Sequence, residues 1–271
     1  MRFAYRLGVQ TVLPDAFRQD REFRERLDAL KRLGFWGVEL NMTDPAAVDP
    51  AALTGLLAEH GLAFSMLASG RTAKQFGLSL SSEDNEVRRR SAAKIVEMIE
   101  FVSGTGAGVI LGTIKGPPGG SRSRAAELFR LSLSEIAPHA ARRNVKVLVE
   151  ATNRYESAVA NTLDEAWELA EPFFGSGIEI LPDTFHMNIE ETGMAEAVTR
   201  HIGRFPSFHL SENNRYFPGA GALEFERIVG ALKRLGYRGR FAVEGNHRLS
   251  FIEDMELAVE RLQPLLASQE A

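Results

Sequence analysis

The 271-residue chain contains no cysteine. That excludes a disulfide framework, an iron–sulfur cluster and any thiolate metal site, so a bound metal would have to be held through oxygen and imidazole. A cytoplasmic location is the matching expectation. Basic charge is also in deficit: 32 Lys and Arg stand against 36 Asp and Glu, a formal net charge of -4, and no sustained Lys/Arg block interrupts the balance. A nucleic-acid partner lacks its electrostatic footprint here. No stretch reaches the ~18 uninterrupted apolar residues of a membrane-spanning helix, and the N-terminal run Met1–Gln10 has neither a long apolar core nor a small-residue cleavage site. Neither export nor membrane insertion is expected. There is no G-x-G-x-x-G after the first apolar run and no phosphate-binding P-loop, so the nucleotide-binding open sheets lose their main support.

What the chain does have is alternation. Short apolar or β-branched runs are separated by longer amphipathic segments rich in Ala, Leu, Glu and Arg, the pattern of repeated βα units. Eight strands are predicted: Phe3–Val9, Gly37–Leu40, Ala63–Leu67, Gly108–Leu111, Val145–Val149, Gly177–Leu181, Phe205–Leu210 and Phe241–Val243. Helices fill the gaps, and several stop at a basic last turn followed by glycine, as in Lys31-Arg32-Leu33-Gly34 and Lys233-Arg234-Leu235-Gly236. No linker or low-complexity tract divides the chain. The one loose stretch, Lys115 to Ser121, follows the fourth strand and reads as a loop of the active face. The expectation is a single α/β domain over residues 1–271, a (β/α)8 TIM barrel, a fold that commonly takes ~250 residues.

In such a barrel the active site lies at the carboxyl ends of the strands. Four reactive side chains follow apolar runs there: Glu150 after Val145–Val149, Asp183 after Ile178–Pro182, His209 after Phe205–Phe208, and Glu244 after Phe241–Val243. These are consecutive strands, the fifth to the eighth. With strands ~4.8 Å apart, three carboxylates and an imidazole converge on one side of the mouth. Taken singly, each has a bland reading as a turn cap, a satisfied core histidine or a solvated charge. Together on four successive strands they do not. Three clustered carboxylates repel and would raise one another's pKa, a cost that a hard divalent cation removes.

The segments around these residues carry a resemblance. Glu150-Ala151-Thr152-Asn153-Arg154-Tyr155-Glu156, the string Asp183-Thr184-Phe185-His186-Met187-Asn188-Ile189-Glu190-Glu191, the run from Phe208 to Arg215 with Pro218-Gly219-Ala220-Gly221, and Val243-Glu244 resemble the ketose 3-epimerases of the xylose-isomerase-like barrels. The likeness extends back through Gly77–Ser81 and Val87-Arg88 to Gly37-Val38-Glu39. Asn161-Thr162 and the early Asp44-Pro45 with Val48-Asp49 bring it nearest to epimerases of keto-acid sugars such as 5-keto-L-gluconate.

The resemblance implies one divalent metal, with manganese first and magnesium or cobalt behind it. Glu150, Asp183, His209 and Glu244 would be its ligands, and Glu150 and Glu244 would double as the acid/base pair that inverts C3 of a ketose or keto-aldonate through a cis-enediolate. Glu156, His186 and Arg215 would contact the substrate. The partner is then a small sugar or sugar acid, and relatives of this kind commonly form homo-oligomers. Four protein ligands leave two octahedral positions for neighbouring substrate oxygens.

Two departures touch substrate recognition. Gly245-Asn246-His247 follows Glu244 where sugar epimerases often have Pro-Phe, and Arg6-Leu7-Gly8-Val9-Gln10 lacks an aromatic pair. Arg71, Lys74, Lys115, Arg122 and Arg124, in the loops after the third and fourth strands, read first as solvated charge and second as a site for an anionic substrate terminus. Three competing activities share the fold. A multi-zinc repair nuclease needs more histidine than the six present. An aldose–ketose isomerase uses nearly the same chemistry, as does an inosose dehydratase. A non-catalytic sugar-binding module would be expected to have lost a ligand, and none is lost.

Overall fold

Parallel strands that are buried on both faces form near-continuous apolar runs, and those runs become the barrel wall in the computed structural model, which describes residues 3–267. The two ends of the expected 1–271 domain lie outside the described residues. The strands are β1 (Leu7–Val12), β2 (Gly37–Asn41), β3 (Ala63–Ala68), β4 (Gly108–Leu111), β5 (Val147–Glu150), β6 (Ile178–Leu181), β7 (Ser207–Leu210) and β8 (Arg240–Val243). All ladders are parallel, and the sheet runs β6-β5-β4-β3-β2-β1-β8-β7. The seam falls between β6 and β7. Pro182 ends β6 without a donor, and closure there rests on a parallel bridge between Asp183 and His209, with the His209 amide donating to the Pro182 carbonyl at 2.9 Å.

Helices cover the wall from outside, as the alternation predicts. The glycine stops behave as expected: Gly34 and Gly236 adopt φ of 88° and 70°, left-handed positions that a side chain would resist. The first strand differs from its prediction. Phe3–Val9 was expected, but pairing begins only at Leu7, where β8 supplies Phe241 and then β2 supplies Gly37 to Gly8. Below that point Phe3 bridges antiparallel to Ala267, and Tyr5 packs on Tyr237 and Phe241. Apolar character there serves packing beneath the barrel rather than a ladder.

Alternation along each strand divides the core. Val38, Leu40, Val147, Val149, Phe208 and Leu210 point outward to the helices, whereas Met66, Ala68, Ile110, Leu148 and Leu181 form a separate cluster inside the barrel. Glu150 is two residues beyond Leu148 and Asp183 two beyond Leu181, so both continue the inward phase at the mouth. Among the described residues no helix is long and apolar enough to cross a membrane.

Candidate metal centre and its cleft

Each of the four residues arrives on its own strand end: Glu150 closes β5, Asp183 follows β6, His209 lies in β7, and Glu244 follows β8. One ligand atom from each comes within 4.8 Å of all the others. Asp183 is also the N-cap of the short helix Thr184–Glu190. Its Oδ1 accepts from the Phe185 amide at 2.7 Å, which fixes the carboxylate and leaves Oδ2 facing the cluster.

The orientation of the polar atoms tests whether a cation fits. His209 Nδ1 sits 2.7 Å from Glu244 Oε2 and 3.6 Å from Glu150 Oε1, yet these three buried atoms have no hydrogen-bond partner. Buried polar atoms are normally satisfied. Here the unpartnered atoms belong to a cluster whose ligand atoms lie within 4.8 Å of one another, and three oxygens with one imidazole nitrogen are a donor set for a hard divalent cation. Positive charge is drawn in from the protein as well. Burial would pull the His209 imidazole down, but Glu39, Glu150 and Glu244 hold it well above its ordinary range. Glu244 shows the reverse balance, with burial opposed by Arg215 and His209, which hold its carboxyl at about 2.

The three residues expected at the substrate line the same cleft. His186 Nδ1 receives the Asn153 backbone amide at 3.1 Å and lies 2.8 Å from the Asn153 side-chain nitrogen. An accepting Nδ1 places the ring proton on Nε2, which points to within 3.9 Å of Glu150 Oε1. His186 therefore presents a donor to the cleft. Glu156 is held from below by Asn153 at 3.3 Å. Arg215 bonds Asp183 at 2.6 Å and also reaches Glu244, with its guanidinium 5.0 Å over the Phe185 ring. Its φ of 63° is a strained position for a side-chain-bearing residue, held by the surrounding loop. The brace of that loop went unrecognised in the sequence: Glu212, buried, accepts from the amides of Gly219 and Leu223, both at 2.9 Å.

The cation expectation needs correction. Lys115 is neither solvated nor facing the mouth; it is fully buried, donating to the Glu150 carbonyl oxygen and, at 2.8 Å, to Thr152 Oγ1. Burial pulls its pKa down to about 8 against Glu150 and Glu156. Arg122 and Arg124 pair with surface carboxylates, Arg71 and Lys74 are exposed, and none of these four lines the cleft. The lining is instead neutral and polar, with Gln10, Asn41, Ser69, Thr113 and Thr152 around the acids. A larger concavity of about 750 Å³ opens elsewhere, among Arg6, Lys233, Arg238 and Arg240 at the strands' amino ends. It contains none of the clustered carboxylates, so the chemistry belongs to the mouth.

Gly112, just after β4, is a sensitive point. A Cβ there would lie 2.7 Å from Glu150 Oε2, the free end of a flexible side chain. Gly112→Ala should thus push the buried Glu150 carboxylate aside, at a cost of about 1–3 kcal/mol of unfolding free energy for crowding a packed site. Turnover should fall by about 10²-fold, the usual consequence of moving a reacting group by ~1 Å. Urea unfolding beside steady-state kinetics separates the two effects, and unchanged kinetics would mean that the position of Glu150 is not critical.

The family model described as "Xylose isomerase-like TIM barrel" matches residues 27–267. A D-psicose 3-epimerase from Enterocloster bolteae is 38% identical over 132 residues, 49% of this chain and 42% of that protein. A ketose 3-epimerase from Arthrobacter globiformis is 28% identical over 225 residues, 82% of this chain and 76% of the relative. Among solved structures, D-allulose 3-epimerase from Methylomonas sp. superposes with a TM-score of 0.80 at 23% identity, covering 98% of this chain and 100% of that one.

Proposed function

The chain belongs to the xylose isomerase-like TIM barrel family, and from that premise we propose that it is a carbohydrate epimerase that inverts C3 of a ketose. The observation that carries the reading is the convergence of buried, unpartnered Glu150, His209 and Glu244 atoms, with Asp183 beside them, at the barrel mouth. Relatives named as ketose and L-ribulose 3-epimerases support it across more than four-fifths of the chain. Glu150, Asp183, His209 and Glu244 would hold one divalent cation, manganese before magnesium or cobalt. When bound, it would act as a Lewis acid on the substrate carbonyl and stabilise charge developing there by several kcal/mol.

The protein's own groups do the rest. Glu150 and Glu244 reach the cleft from strands separated by the other two ligand-bearing strands, so they can address opposite faces of a planar enediolate. His186 Nε2–H and the Arg215 guanidinium are donors for substrate oxygens, and Glu156 is an acceptor for a hydroxyl. Arg215 is the one Lys or Arg lining the cleft among the described residues, and Asp183 and Glu244 already engage it. A neutral ketose suits this lining better than a keto-aldonate, whose carboxylate would have no free cation to meet.

Purified protein incubated with manganese in heavy water, against ketohexoses, ketopentoses and keto-aldonates, tests the proposal. The expected product is the C3 epimer of a neutral ketose, carrying one solvent deuterium at C3. An aldose product carrying deuterium at C2, or no label if hydride shifts directly from C1 to C2, would identify an aldose–ketose isomerase instead. Faster turnover of the keto-aldonates would overturn the neutral-substrate reading.

A further inference from the structure

The metal-facing nitrogen of His209 is Nδ1, the atom turned toward Glu150, Asp183 and Glu244. The other nitrogen is not free. Nε2 lies 2.8 Å from Oε2 of Glu39, which comes from β2. Both side chains are fully buried, and Glu39 sits inside the barrel because its neighbours Val38 and Leu40 point outward into the helix layer. Its second oxygen, Oε1, has no partner. A carboxylate enclosed in this way is costly unless it serves a specific contact, and its one hydrogen bond is to His209.

We propose that Glu39 is a positioning residue for the metal centre: it accepts the Nε2–H of His209, so fixing the tautomer and ring orientation that present a bare Nδ1 as ligand. This rests on the proposed metal site, and it adds a residue that the ligand set does not include. An imidazole binds metal only through a deprotonated nitrogen, and which nitrogen carries the proton is set by the bond the other one makes. Without an acceptor at Nε2 the proton can move to Nδ1, the atom turned toward Glu150, Asp183 and Glu244, and block it as a ligand. The strand register makes Glu39 available. Only β1 and β8 separate β2 from β7 in the wall, and the inward phase of β2 aims Glu39 at His209 beneath Asn41, which lines the cleft.

The test separates affinity from catalysis. Manganese and magnesium affinities of the wild type, Glu39→Gln and Glu39→Leu are measured without substrate, with melting of each protein in chelator as the folding control. Glu39→Leu should weaken metal binding by about 10–100-fold, the usual effect of removing such a partner. Glu39→Gln, whose amide oxygen can still accept Nε2–H, should lie between it and the wild type. Unchanged affinity in both variants overturns the proposal, as does an equal loss in both. Nitrogen chemical shifts of His209 in the magnesium-loaded wild type give a check independent of any variant. A protonated Nε2 is expected, and a protonated Nδ1 would refute the assignment. If His209 affinity effects appear but no ketose turns over, the positioning role stands and the proposed reaction falls.

Discussion

Glutamine in place of either Glu150 or Glu244 is expected to cut interconversion of C3 epimers by about 10²–10⁴-fold or more, the range supplied by a positioned acid or base. The two substitutions should act alike, because inversion of a carbon by proton transfer takes the proton from one face and returns it to the other. A single fixed carboxylate serves only one of those faces. Glu150 ends β5 and Glu244 follows β8, with Asp183 and His209 on the strands between, and their ligand atoms lie within 4.8 Å of one another. Each is base in one direction and acid in the other. The distinguishing signature is partial activity: the surviving carboxylate should still exchange the C3 hydrogen of one epimer with solvent while net epimerisation is lost. Glutamine keeps a ligating oxygen, so metal content must be measured alongside. A variant that retains its metal and interconverts epimers near the parent rate would refute the two-base assignment.

Removal of divalent metal is the second large effect. Exhaustive chelation should abolish turnover, and manganese should restore it. It should also lower thermal stability, since a ligand that binds only the folded chain stabilises it by about 2.7 kcal/mol at a hundredfold excess over its dissociation constant. For a chain of this size that corresponds to a fall in melting temperature of roughly 5 °C. The physical cause is visible at the site. Three carboxylates and an imidazole cluster within 4.8 Å, and Arg215, which bonds Asp183 and Glu244, offsets only part of their charge. Full activity in a preparation shown to lack metal would remove the basis of the proposed chemistry.

Much of this centre was legible beforehand, for a reason particular to barrels. Apolar runs announce strands, strand direction follows from the intervening helices, and active groups sit at the carboxyl ends. Glu150, Asp183, His209 and Glu244 each follow such a run directly, so local pattern alone carried them to the mouth. His186 and Arg215 reach the cleft by less regular routes, one on a helical turn and one on a loop at positive φ. The resemblance of the surrounding motif, not spacing, pointed to those two. The place of Lys115 is not legible locally, because a lysine in a glycine- and proline-rich segment has the pattern of a solvated loop charge. Its burial depends on the Glu150 carbonyl and Thr152 hydroxyl of the next strand's end.

The amino-acid sequence by itself determined the eight βα units, the direction of each strand and the identity of the four clustered groups. These follow from hydrophobic periodicity and chemistry that act over a few residues at a time. Tertiary structure alone decided where β1 begins, how the β6–β7 seam closes through Asp183 and His209, and which residue stands behind the imidazole. Glu39 and His209 are 170 positions apart. A carboxylate within the apolar run Gly37–Leu40 signals that it needs a partner, but only the pairing of β1 with β8, which curls β2 toward β7, supplies one.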